Sequence, residues 1–157
     1  MSDSDVKFIT LFFFFTMLDE KRALHAASEA LEYCMGRLEG SPSINHHALI
    51  VTATQKIWER HHKKLVRGRP QFSLESGWRI PETLDFAPWK EYQKKAPEEE
   101  LLALVWSKVL NFSDEEISQG LGLTEGTLRF RVGRALRKMG TFCRSTEKSL
   151  RAVRSHE

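Results

Sequence analysis

Cysteine is scarce. Cys34 and Cys143 lie far apart and match no metal-ligand spacing, so reduced thiols in a cytosolic protein are the expected state. A membrane-length apolar run is missing too. The apolar segment Phe8 to Leu18 is about half as long as a bilayer span requires. It follows Asp3 and Asp5 rather than a basic stretch, and no small-residue cleavage site comes after it, so neither a signal peptide nor a membrane span is expected. There is no phosphate-cradling glycine loop, no nucleophile elbow and no acidic pair on a recognisable scaffold; the expectation is no enzyme and no cofactor. Internal repeats and low-complexity tracts are absent as well.

A strong charge bias is lacking overall, since the net charge is only +3. Its distribution is uneven. The first 98 residues carry 14 positive and 13 negative groups, whereas Glu125 to Arg154 hold nine Lys or Arg against two Glu. Cations gathered at one end make an electrostatic footprint suited to phosphates. The six histidines include the pairs His46-His47 and His61-His62. Neighbours on a helix point about 100° apart, so neither pair presents two imidazoles on one face, and no metal is expected.

What is present reads as helices, and the expected class is all-α. Phe12 to Phe15 would place aromatics right round a helix, so that segment must be covered on several sides, as a core helix or as a subunit interface. Asp19 is placed to cap a second helix reaching about Leu38, with an apolar stripe of Leu24, Ala27, Leu31, Cys34 or Met35, and Leu38. Gly40-Ser41-Pro42-Ser43 stops it. A third helix follows from about Ile44 to Leu65, its stripe formed by Leu49, Ile50, Ala53, Ile57 and Leu65. Residues 1–66 thus make an N-terminal helical bundle.

Residues 67–97 hold four of the five prolines, together with Phe72, Trp78, Phe86, Trp89 and Tyr92. Such prolines prevent a long helix, while the aromatics argue for an irregular linker that packs on the protein itself or on a partner. Residues 98–157 are expected to be a helix-turn-helix domain. Pro97 and Glu98-Glu99-Glu100 open a helix to about Leu110. Ser113 and Glu116 form a capping box for a short helix with Ile117 and Leu121 inside and the small Ser118 facing a close neighbour. Gly122 tolerates the left-handed turn, Leu123 returns to the core, and Thr124 caps a second helix running to about Met139. This is the helix-turn-helix pattern.

Helical geometry sorts that last helix. With Leu128 at 0° and about 100° per residue, Val132, Ala135, Leu136 and Met139 fall within about 80° of it and form the buried stripe. Phe130, Arg134 and Arg137 fall opposite, flanked by Gly133 and by Thr127 and Lys138. A basic face carrying one aromatic suits a major groove, where arginine pairs with guanine and apolar groups touch the thymine methyl. A solvated charge face on an ordinary helix is the alternative.

The run from Glu99 to Met139 resembles region 4 of bacterial sigma factors, especially the extracytoplasmic-function type. The matching residues are Glu116-Ile117, Leu121-Gly122-Leu123, Gly126-Thr127, Arg131 and Arg134-Ala135. The resemblance implies that Thr127, Arg129, Arg131 and Arg134 lie near the upstream promoter element. Phe130 stands where the family usually has a small or polar residue. Leu49 to Lys64 is similar, more loosely, to the hydrophobic-then-basic helix of sigma region 2, while Ala26 to Leu38 lacks that family's acidic-plus-glutamine pattern.

The candidate DNA-binding residues are therefore Thr124, Thr127, Arg129, Phe130, Arg131, Arg134, Arg137 and Lys138. Lys63, Lys64, Arg67 and Arg69 form a secondary basic patch; Arg67-Gly68-Arg69-Pro70 matches the core of a minor-groove AT-hook, with a basic helix end leading into a linker as the plainer reading. Arg144, Lys148, Arg151 and Arg154 step at helical spacing. The expected partners are double-stranded DNA and core RNA polymerase, with an anti-sigma factor or self-association through the Phe-rich first helix as further candidates. Two other functions fit the same residues: a dimeric or ligand-sensing helix-turn-helix regulator, and a sigma-mimicking interaction module that uses Phe130 and the Phe-rich helix.

Overall fold

The computed structural model describes residues 1–41, 43–65 and 86–154, with side chains excepted for 63–65 and 145–154. The described residues are predominantly helical, with no strand among them. The helices are α1 (Asp3–Met17), α2 (Glu20–Gly40), α3 (His46–Leu65), α4 (Ala87–Lys95), α5 (Glu98–Leu104), α6 (Asp114–Leu121) and α7 (Glu125–Arg154), with a π turn at Val105–Val109 continuing α5.

Side chains start these helices as capping chemistry requires. Ser2 and Asp5 form a capping box for α1, and Asp19 accepts the Arg22 amide at the start of α2. Between them Leu18 turns the chain at φ 51°, its N–H donating to the Phe14 carbonyl. The Phe-rich helix is interior. It packs against α2, α3 and the π turn, which cover it from different sides and bury Phe12, Phe13 and Phe14. Phe12 stacks on Trp106 (5.3 Å, 17°), whose indole N–H donates to Thr54 Oγ1 at 3.0 Å. Phe12, Phe13 and Phe14 thus sit in the chain's own core, while Phe8, Leu11 and Phe15 are half-buried.

Two stripes drawn from the sequence need correction. In α2 the buried face is Ala23, Ala26, Ala27, Ala30 and Cys34, while Leu24 and Met35 are exposed. The bulk between α1 and α2 comes from phenylalanines, so the face opposite them has to be thin. In α7, Leu128, Val132 and Ala135 are buried as expected, but Leu136 is 46% exposed. α5 lies along the side of α7 that carries Arg131 and Lys138, so the far edge of the stripe is left in solvent.

Three elements differ in extent. The helix expected from Pro97 to Leu110 widens at the π turn, where Leu110 N–H bonds to the Val105 carbonyl five residues back. Residues 87–95, within the expected linker, form α4. Trp89 Nε1 donates to the Phe15 carbonyl at 3.0 Å, Gln93 Nε2 donates to the Thr16 carbonyl, and Tyr92 packs with Leu101, Leu104 and Ala135. The last helix runs past Met139 to Arg154 without a break, Gly140 included.

The first and last segments of the chain share a core. One apolar cluster joins α1, α2 and α3 to α5, the π turn, α6 and α7. The tightest join is α6 against α3. A Cβ built on Gly120 would lie 2.6 Å from the Ala48 carbonyl oxygen and 2.7 Å from Val51 Cβ, and Thr52 Oγ1 donates to the Gly120 carbonyl at 2.8 Å.

Candidate nucleic-acid interface

The local scaffold of α6, the turn after it and the start of α7 forms from its own side chains. Ser113 Oγ accepts the Glu116 amide at 3.2 Å, and Glu116 Oε2 accepts the Ser113 amide at 2.8 Å. Gly122 sits at φ 65°, ψ 33°, and both its N–H and that of Leu123 donate to the Ser118 carbonyl. Thr124 Oγ1 then accepts the Thr127 amide at 3.2 Å and lies 2.9 Å from the Thr127 hydroxyl. The turn thus leads into α7, whose outer side is exposed over its first turns.

On that side Phe130 is 61% exposed, and the Arg134 guanidinium lies 5.6 Å from its ring centroid. Arg137 is exposed and forms no ion pair among the described residues. The other cations are engaged. Arg129 reaches Asp114 and Glu125, both at 2.6 Å. Arg131 pairs with Glu99 at 2.9 Å. Glu100, buried, takes Arg134 at 2.9 Å and Lys138 at 2.7 Å. Arg134 nevertheless keeps 46% of its side chain in solvent. The Asp114 hydrogen bond and the Asp114 and Glu125 charges hold Arg129 firmly in its cationic form.

The candidate face is therefore less positive than the tally along α7 suggests. Asp114, Glu99 and Glu100 come from other helices, and a count along one helix cannot register them. Glu98 and Glu99 also line an open groove of about 340 Å³ that reaches Trp106, Leu121, Leu123 and Arg131 beside α7. Of the secondary basic patch, Arg67 and Arg69 lie outside the described residues, and only the helical backbone is described at Lys63 and Lys64. Arg144 is exposed on the continuation of α7.

Histidine supplies two arrangements that the sequence reading missed. The divergence of His46 and His47 lets each grip the start of a different helix. His46 Nδ1 lies 3.3 Å from Asp5, the capping acid of α1, and His47 Nδ1 lies 2.8 Å from Glu116, the capping acid of α6. Burial opposes the charge on both carboxylates, but serine and histidine hydrogen bonds outweigh it and hold both below the ordinary carboxylate range. His47 also stacks on Phe112 at 4.3 Å. The second arrangement brings His25, Glu29 and His61 together across α2 and α3. The i,i+4 spacing of His25 and Glu29 was visible in the sequence; the approach of His61 was not.

Both thiols are free, Cys34 buried and Cys143 exposed, and burial pushes Cys34 up to about 12. No helix of the described residues is long and apolar enough to cross a membrane. Comparison of the chain with protein-family models, with curated proteins and with solved structures finds no match.

Proposed function

We propose that the chain is a DNA-binding transcription regulator resembling a sigma factor, in which the N-terminal half of α7 enters the major groove of promoter DNA. One observation carries the reading: Phe130, Arg134 and Arg137 stand together on an exposed face directly after a capped short helix and a left-handed glycine turn. The ion pairs of Arg129 and Arg131 are surface pairs, each worth about 0–1 kcal/mol, so exchanging a carboxylate for a phosphate costs little. Core RNA polymerase is the protein partner that the resemblance adds.

Salt-dependent binding to mixed-sequence duplex DNA tests it. Wild-type affinity should fall steeply with salt, and Arg137→Ala should reduce the log–log slope by about one unit. Absence of binding at low salt overturns the proposal. The polymerase contact is tested separately, by co-purification and by specific initiation in a reconstituted assay.

One observation favours an interaction module instead. The basic face lies among the chain's own carboxylates, and Phe130 and Leu136 are exposed on either side of Arg134 in sequence. That reading expects no DNA binding and a protein complex that Phe130→Ala weakens.

A further inference from the structure

We propose that His25, Glu29 and His61 form a site for one divalent transition-metal ion of the zinc class, tying α2 to α3. The inference does not depend on the DNA reading. His25 and Glu29 are one turn apart on α2, and His61 faces them from α3. Both imidazoles approach the same carboxylate oxygen through Nε2: His25 lies 3.3 Å and His61 3.0 Å from Glu29 Oε1. All three ligand atoms lie within 4.8 Å of one another.

Zinc holds nitrogen and oxygen donors at about 2.0–2.1 Å in a tetrahedron, which separates the donors by about 3.3 Å. The two histidine–carboxylate edges already have nearly that length. Only the histidine–histidine edge needs to close, and His25, 70% exposed, is free to swing inward. The rings meet edge to face, at 83° and 5.6 Å between centroids.

The surroundings suit a ligand carboxylate. Burial works against the charge on Glu29, yet His61 and Arg60 outweigh it and hold the group below the usual carboxylate range. Arg60 Nη1 binds the other oxygen, Oε2, at 2.7 Å. It orients the carboxylate and leaves Oε1 for the ion, which is the arrangement of a hydrogen-bonded outer partner. Two imidazoles and one carboxylate leave a fourth position for water. Neutral imidazole is the ligating form.

The test uses the untagged full chain and metal alone. Calorimetric titration with Zn(II) at neutral pH should give one ion per chain. His25→Ala and His61→Ala should each weaken binding at least about tenfold, and Cys143→Ser should leave it unchanged. The Co(II) form should show visible d–d bands without a thiolate charge-transfer band. Zn(II) should raise the melting temperature of the wild type and not of His25→Ala. Because His25 is on the surface, that variant keeps the fold and decides the matter even if His61→Ala unfolds. No stoichiometric binding, binding indifferent to His25→Ala, or a thiolate band overturns the proposal; the three side chains are then a hydrogen-bonded cluster and nothing more.

Discussion

The inner side of α6 and the outer side of α7 are held by opposite kinds of force. The inner side of α6 meets α3 at contact distance, with Gly120 leaving no room for a methyl group and Thr52 bonded to its carbonyl. The outer side of α7 is held by charge. Arg129, Arg131, Arg134 and Lys138 reach carboxylates but remain partly open to water, and Arg137 reaches none among the described residues. Steric fit acts over tenths of an ångström and tolerates no substitution. The pairs of Arg129 and Arg131 lie at the surface and cost little to exchange, whereas Arg134 and Lys138 neutralise the buried Glu100, so a fixed base carries an outer face of which only part can change partners.

The largest expected effect breaks the first half of this comparison. Gly120→Ala should destabilise the fold by about 3 kcal/mol, because the atoms it meets are a backbone oxygen and a Cβ that cannot swing aside. Urea unfolding measures this. Gly36→Ala on α2, with nothing within 4 Å, is the control and should be neutral or stabilising. Equal midpoints for the two variants would refute the close packing.

Acid titration sharpens the same base at a smaller scale. Asp5 and Glu116 have lowered folded values, so the stability they contribute is present above the unfolded values near 3.8 and 4.5 and is lost as pH falls through the lowered ones. Glu116→Gln should cost about 1 kcal/mol at pH 7, discounted for partial exposure, and should flatten the stability curve below about pH 5. A variant with the wild-type acid profile would remove the His47–Glu116 link from the account.

The smallest effect concerns the charged face. Glu99 is largely exposed, so Glu99→Gln should change stability by less than about 0.5 kcal/mol. It frees Arg131, and low-salt DNA affinity should rise about two- to fivefold. Unchanged affinity would mean that Arg131 stays away from phosphate.

The parts of the site that were legible beforehand are local. Ser113, Gly122 and Thr124 act on atoms within four or five residues, so spacing and residue type suffice to place the turn. In the α2 stripe Ala27 and Cys34 are buried and Leu31 and Leu38 pack against the core, whereas Leu24 and Met35 face solvent because the buried face is centred on the alanines that meet α1. Leu136 failed because α5 covers one flank of α7 and leaves the other open. The charge tally along α7 overstated the positive face because Glu99, Glu100 and Asp114 arrive from other helices.

The all-α class, the Ser113–Glu116 capping box and the glycine turn were determined by the sequence alone, since hydrogen bonds between near neighbours and the 3.6-residue period need no knowledge of the rest of the chain. Which face of α2 is buried, how far the cations of α7 are neutralised, and the meeting of His25 with His61 were decided only by tertiary packing. Those outcomes depend on residues tens of positions apart, and only the shared core brings them within reach of one another.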